Sequence, residues 1–183
     1  MSVQYLIVPG YGDSNAQHWQ TYFEHQLPNA RRVVQKDWEH PICTDWVQAI
    51  DEAVAACSDS DVILIGHSLG CIAIVHWAQQ SAVPIRGALL VAPADLENPH
   101  EDLPLNGFTP IPLHSLPFPS LVVASSNDSW AAPERSRFFA EKWGSDFLTL
   151  ENAGHINSDA GYGDWPAGLQ LLGSFFDLIS IIK

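Results

Sequence analysis

Gly66-His67-Ser68-Leu69-Gly70 sets a serine between two flanking glycines, directly after the apolar run Val62-Ile63-Leu64-Ile65 and before a stretch with helical character. A serine on a tight strand-to-helix turn holds its hydroxyl out above a sheet, and small residues two positions away on each side let the backbone turn without a clash. Ser68 is therefore the candidate nucleophile. A hydroxyl is weak in that role at neutral pH and needs an imidazole to take its proton and a carboxylate to orient the imidazole.

Chain order narrows the partners, because on an open sheet of this type the acid follows a later strand and the histidine follows the last one. Asp128, in Ser126-Asn127-Asp128, lies just past the apolar run Leu121 to Ala124, and His155, in Ala153-Gly154-His155, lies just past Leu148 to Leu150. Asp95, one strand earlier, is the rival acid. Asp128 also has an ordinary reading as a turn or helix cap. Among the other histidines, His18, His25 and His40 precede the serine, His67 sits inside the turn and is expected to point away from Ser68, and His76 falls on the following helix. None fits the order as well. Two backbone amides could face a developing oxyanion: that of Leu69 at a helix start, and that of Tyr11 in Pro9-Gly10-Tyr11-Gly12. The sequence contains no His-Glu-x-x-His or comparable ligand spacing, so neither a metal nor another cofactor is expected.

The elements that must position these groups alternate between short β-branched runs and longer helical patterns. Strands are expected at Gln4 to Val8, Arg32 to Gln35, Asp61 to Ile65, Gly87 to Ala92, Ser120 to Ala124 and Phe147 to Leu150. Helices are expected from about Ala16 to Leu27, capped by Ser14 or Asn15; after Thr44 as N-cap, with Trp46, Val47, Ile50 and Val54 on one face; from the serine turn to about Gln80; from Ala131 to Trp143, with Pro133 near its start and Gly144 ending it; and from Pro166 to about Ile179. The 27 residues from Pro93 to Pro119 are dense in proline and read as an ordered irregular loop. The sum is one α/β domain over residues 1–183, an open, mostly parallel sheet with helices on both faces.

Composition bounds what such a domain could meet. With 8 Lys+Arg against 21 Asp+Glu the net charge is −13, which repels nucleic acid and anionic membrane surfaces. No apolar run approaches the ~20 residues of a membrane span, and the N-terminus has no signal-peptide pattern. Three cysteines without a Cys-x-x-Cys pair read as small buried residues in a reducing, cytoplasmic setting.

The same residues resemble the small serine hydrolases related to retinoblastoma-binding protein 9 and the bacterial YdeN-like proteins. The likeness rests on Pro9-Gly10, His18-Trp19, Asp37-Trp38 with Pro41, the pentad around Ser68, Ser126-Asn127-Asp128, and Gly154-His155-Ile156-Asn157 running into Gly161-Tyr162-Gly163-Asp164-Trp165-Pro166-Ala167-Gly168. It implies a three-layer, abbreviated α/β-hydrolase fold without a separate lid domain, and Ser68, Asp128 and His155 as the triad. Trp130 departs from the Pro-Tyr often found near the acid. The short loop at Pro93 to Pro119 suggests an open, shallow cleft for short carboxylic esters or small amides. Trp19, Trp38 and Trp130 are candidates for its walls, with loop packing onto the core as the competing reading for each. Two other classes remain open, an acyltransferase or thioesterase using the same serine and a non-catalytic binding protein.

Overall fold

The computed structural model describes residues 2–57, 61–99 and 101–182. Six strands, β1 (Val3–Val8), β2 (Ala30–Arg32), β3 (Asp61–His67), β4 (Gly87–Val91), β5 (Ser120–Ser125) and β6 (Asp146–Leu150), form one sheet in the order β2-β1-β3-β4-β5-β6. Every pairing is parallel. The expected mostly parallel sheet is thus parallel throughout, and every connection must cross over one of its faces.

Four helices make four of those crossings, α1 (Trp19–Gln26), α2 (Cys43–Ala55), α3 (Leu69–Gln80) and α4 (Pro133–Trp143); an irregular segment joins β4 to β5, and α5 (Pro166–Ile182) follows β6. Alternate residues of the strands feed two cores. Leu6, Val8, Val62, Leu64, Leu90 and Val122 pack with α2, α3 and α4. Ile7, Ile63, Ile65, Leu89, Val91 and Val123 pack with Trp19 and Phe23 of α1 and Leu172 and Phe176 of α5. Two buried faces explain why the central strands read as unbroken apolar runs. None of the described helices is long and apolar enough to cross a membrane.

Several boundaries differ from expectation, each for a tertiary reason. β2 ends at Arg32 instead of running from Arg32 to Gln35, because it pairs only with β1 and its register, Tyr5 with Ala30 through Ile7 with Arg32, follows the outer edge of that strand. The β-branched pair beyond it divides, Val33 buried and Val34 exposed. Helix α1 begins at Trp19, not Ala16: Asn15 Oδ1 accepts from Gln17 N in a preceding turn, and the His18 ring, neither Ser14 nor Asn15, caps the helix. Helix α2 begins one residue before Thr44, with Ile42 at the N-cap. The Cys43 amide there donates to Asn106 O, so a distant loop supplies what a capping side chain would.

The described residues of 93–119 form no helix or named strand, as the prolines require. The segment is nevertheless packed, with Phe108, Ile111, Leu116 and Phe118 buried in the α2–α3–α4 core. All three cysteines are buried and unpaired. Burial raises the Cys43 thiol to about 11 and holds that of Cys71 well above the ordinary thiol range, so both stay protonated and inert.

Candidate active site

Ser68 occupies the turn between β3 and α3, with φ 52° and ψ −121°. A non-glycine residue at positive φ is strained and persists only where its surroundings impose it. Here they do. A Cβ added at Gly66 would stand 2.8 Å from Ile74 Cδ1 and 3.1 Å from Cys71 Cα, and one at Gly70 would collide with the carbonyl oxygens of Val8 and Pro9. Both flanking glycines are demanded by space: α3 starts so close to β1 and to its own strand that nothing larger fits.

Ser68 Oγ is 2.9 Å from His155 Nε2, and His155 Nδ1 is 2.9 Å from both Oδ1 and Oδ2 of Asp128. The carboxylate can only accept, so it holds the proton on Nδ1 and leaves the Nε2 lone pair to accept from the serine hydroxyl. The Asp128 side chain is 2% exposed and that of His155 11%, so bulk water competes little for these bonds. The three groups come from the ends of β3, β5 and β6, at one edge of the sheet. Such a chain can move a proton from the hydroxyl to the imidazole and hold the resulting positive charge beside the carboxylate.

The rival acid has other work. Asp95 accepts from Arg135 Nε at 2.7 Å and Nη2 at 3.0 Å, and from Asn98 Nδ2 at 2.8 Å. Burial pushes its carboxyl upward, but the hydrogen bonds from Arg135 and Asn98 and the guanidinium charge outweigh that and hold it below the usual carboxylate range.

The turn after β1 closes against the serine. A Cβ at Gly10 would fall 3.0 Å from Ser68 Cβ and 3.1 Å from His67 O, so only glycine lets Tyr11 come this near. Tyr11 and Leu69 both line the cleft that holds Ser68. Neither amide has an internal acceptor among the described residues. A buried network pins this turn: Gln20 Nε2 donates to Val8 O and Ile65 O, Ser14 Oγ donates to Gln20 Oε1, and Arg32 binds Asp13 and Ser14 O.

The cleft has a volume of about 310 Å³, at the small end for ligand pockets. Trp130 forms part of its wall, its ring 5.8 Å from that of His155. The other two tryptophans do not. Trp19 is fully buried, packed between Phe23 and Trp165, with Nε1 donating to Ile156 O. Trp38 packs edge-on to Trp46 at 5.5 Å, and its carbonyl accepts from Gly12 N. Both support loops that border the site. Ala94, Leu96, Leu103 and Leu105 carry the 93–119 segment into the cleft as an apolar wall.

Several residues to which the sequence alone assigns no supporting role hold the constellation together. The His67 ring packs 4.9 Å from the His155 ring, and its Nε2–H donates to the His155 carbonyl at 2.9 Å. Burial first, then the neighbouring His155 and His18, keep His67 far below the ordinary imidazole value and hence neutral. Asn127 Oδ1 accepts from Gly154 N at 2.7 Å, and Ser125 Oγ accepts from Ala153 N at 3.0 Å. These bonds join the loop bearing the acid to the loop bearing the histidine. Their only trace in the sequence is the polar run after β5. Among the described residues, no cluster of three or more His, Cys, Asp or Glu side chains could hold a metal ion.

Comparison with known proteins agrees with this reading of the fold. A protein described as a YdeN-like hydrolase from Pectobacterium atrosepticum superimposes with a TM-score of 0.86 at 35% identity, over 97% of this chain and 92% of the other. The ydeN gene product of Bacillus subtilis gives 0.76 at 22% identity, over 97% and 100%. The carboxylesterase CesB of B. subtilis gives 0.70 at 14% identity, over 95% and 83%, and shares the fold. No curated protein matches the chain by sequence. The serine hydrolase family model matches residues 5–174. A match of that extent, with a one-third-identical hydrolase of nearly the same length, makes this chain a member of the serine hydrolase family, built on the α/β-hydrolase fold.

Proposed function

We propose that this hydrolase cleaves short-chain carboxylic esters or small amides through an acyl-enzyme on Ser68. The observation that carries the reading is the continuous hydrogen-bonded chain from Ser68 Oγ through the His155 ring to both oxygens of Asp128. In the first half-reaction His155 Nε2 takes the hydroxyl proton as Oγ bonds to the substrate carbonyl carbon. The carbonyl oxygen becomes an oxyanion, which the Tyr11 and Leu69 amides can receive without reorganising. His155 then returns the proton to the leaving oxygen or nitrogen, and the departing bond breaks to leave Ser68 acylated. In the second half, water gives a proton to His155 and its oxygen attacks the acyl carbon. The acid departs as the proton passes back to Ser68.

Preference for small acyl groups follows from the walls. The Pro93–Pro119 segment lines the cleft instead of roofing it as a separate lid, and about 310 Å³ leaves little room for a long alkyl chain. Leu96, Leu103, Leu105 and Trp130 offer a short apolar surface for the acyl group. The three buried, unpaired thiols fit a reducing compartment, and we place the protein in the cytoplasm.

A series of p-nitrophenyl esters tests the proposal. Wild type should show kcat/KM highest between acetate and hexanoate and falling beyond, and Ser68→Ala should lose the activity on all of them. Activity retained by Ser68→Ala contradicts the mechanism; faster turnover of long-chain than short-chain esters contradicts the substrate class.

A further inference from the structure

We infer that His18 is a specificity residue, a fixed hydrogen-bond donor that selects substrates bearing a second acceptor oxygen close to the scissile group. The inference rests on the proposed hydrolysis at Ser68 and goes beyond it in naming what the cleft reads.

His18 is the N-cap of α1, and its Nδ1 accepts from Gln20 N at 3.2 Å. That bond uses the Nδ1 lone pair, so the single proton of the neutral ring lies on Nε2. The ring is locked. It packs at 4.7 Å, edge to face, against His67 and at 5.5 Å against Trp19, and the residue is 5% exposed. It nevertheless lines the same cleft as Ser68, Trp130 and His155; the ring's one hydrogen bond among the described residues is that at Nδ1, and Nε2 is not among the fully buried atoms left without a partner, so it is open to the cleft.

Burial and the neighbouring positive groups keep the ring in this state. Burial first, then His155 and Arg32, lower the imidazole to about 4, so it remains neutral at working pH even when His155 gains its proton. A rigid, neutral N–H without an acceptor, in a cleft that sets the apolar Leu96, Leu103, Leu105 and Trp130 beside polar residues such as Asn157 and Ser158, is paired by water or ligand. A substrate that covers it with a methylene leaves it unsatisfied; one that offers an ether, hydroxyl or carbonyl oxygen satisfies it.

Two matched ester pairs test this: p-nitrophenyl methoxyacetate against butyrate, which differ at one atom of the acyl chain, and methoxyethyl acetate against butyl acetate, which differ likewise in the alcohol. The readout is the ratio of kcat/KM within each pair, each normalised to alkaline hydrolysis. His18→Asn keeps the cap, since asparagine is a preferred N-cap residue, but its amide falls short of the Nε2 position. His18→Gln reaches that position with an N–H and gives up the cap. In at least one pair His18→Asn should lower the wild-type ratio about five- to tenfold, the range for one neutral hydrogen bond, and His18→Gln should restore part of it. Ratios equal in wild type and His18→Asn for both pairs overturn the inference, because a purely structural loss scales both members alike. Labelling by a fluorophosphonate separates the two readings. Wild type that fails to label contradicts the proposed hydrolysis itself, whereas labelled variants with unchanged ratios contradict only the role of His18.

Discussion

Asp128 and Asp95 show how environment divides the work of two similar side chains. Both are 2% exposed. Asp128 gives its two oxygens to an imidazole and one of them also to Trp130 N. Asp95 gives its oxygens to a guanidinium that never releases its proton. Asp128→Asn should therefore lower kcat by about 10³- to 10⁴-fold with little change in KM, since the amide cannot hold the His155 proton on Nδ1; a steady-state comparison with wild type checks it. The histidines behind the site make a second prediction. His18 binds a proton far less readily folded than the ~6.5 of an unfolded histidine. The unfolded chain thus takes up more protons between ~6.5 and about 4, and stability is lost as pH falls through that window. His18→Asn removes this contribution. Urea titrations of both proteins should show wild type losing about 2 kcal/mol relative to the variant between pH 7 and pH 4.5. A constant difference across those pH values contradicts a neutral, buried ring.

Among the elements, those with a one-dimensional signature were readable in advance. The apolar runs marked β3, β4 and β5, Pro133 and Gly144 bracketed α4, and the glycines around Ser68 announced the turn for the steric reason the structure displays. What could not be read was set by partners distant in the chain. Asn106 starts α2, the edge position of β2 shortens it, and His18 takes over a capping role that serine or asparagine usually fills. The site divides the same way. Ser68, Asp128 and His155 follow from chain order, whereas the contributions of His67, Ser125 and Asn127 are bonds between loops and depend on the folded register of β5 against β6. Trp19 and Trp38 lie near loops that border the site but pack inward, Trp19 fully buried and Trp38 half-buried against the core, because a large aromatic ring gains more from packing on the core than from a cleft wall. At this scale Arg135 is the test. It ties the 93–119 segment to α4 through Asp95 and Glu97. Arg135→Ala strands a buried carboxylate and should cost about 2–4 kcal/mol, read by urea denaturation at pH 7. A cost under about 0.5 kcal/mol would mean that the pair is not formed in solution.

For the molecule as a whole, six parallel strands under two helical layers leave one open edge where the loops after β1, β3, β5 and β6 meet. Open α/β sheets generally place their sites beyond the carboxyl ends of the strands, and this chain of 183 residues achieves that with a proline-rich wall in place of a lid. Both cores share the same sheet, so calorimetry should record one unfolding transition; two separated transitions would contradict a single domain. The account nevertheless depends most on whether Ser68 becomes acylated. The most direct measurement is peptide mass spectrometry after brief exposure to a fluorophosphonate. The account predicts one adduct, on the peptide bearing Ser68, formed by wild type and absent from Ser68→Ala. An adduct on another residue, or equal labelling of the two proteins, contradicts it.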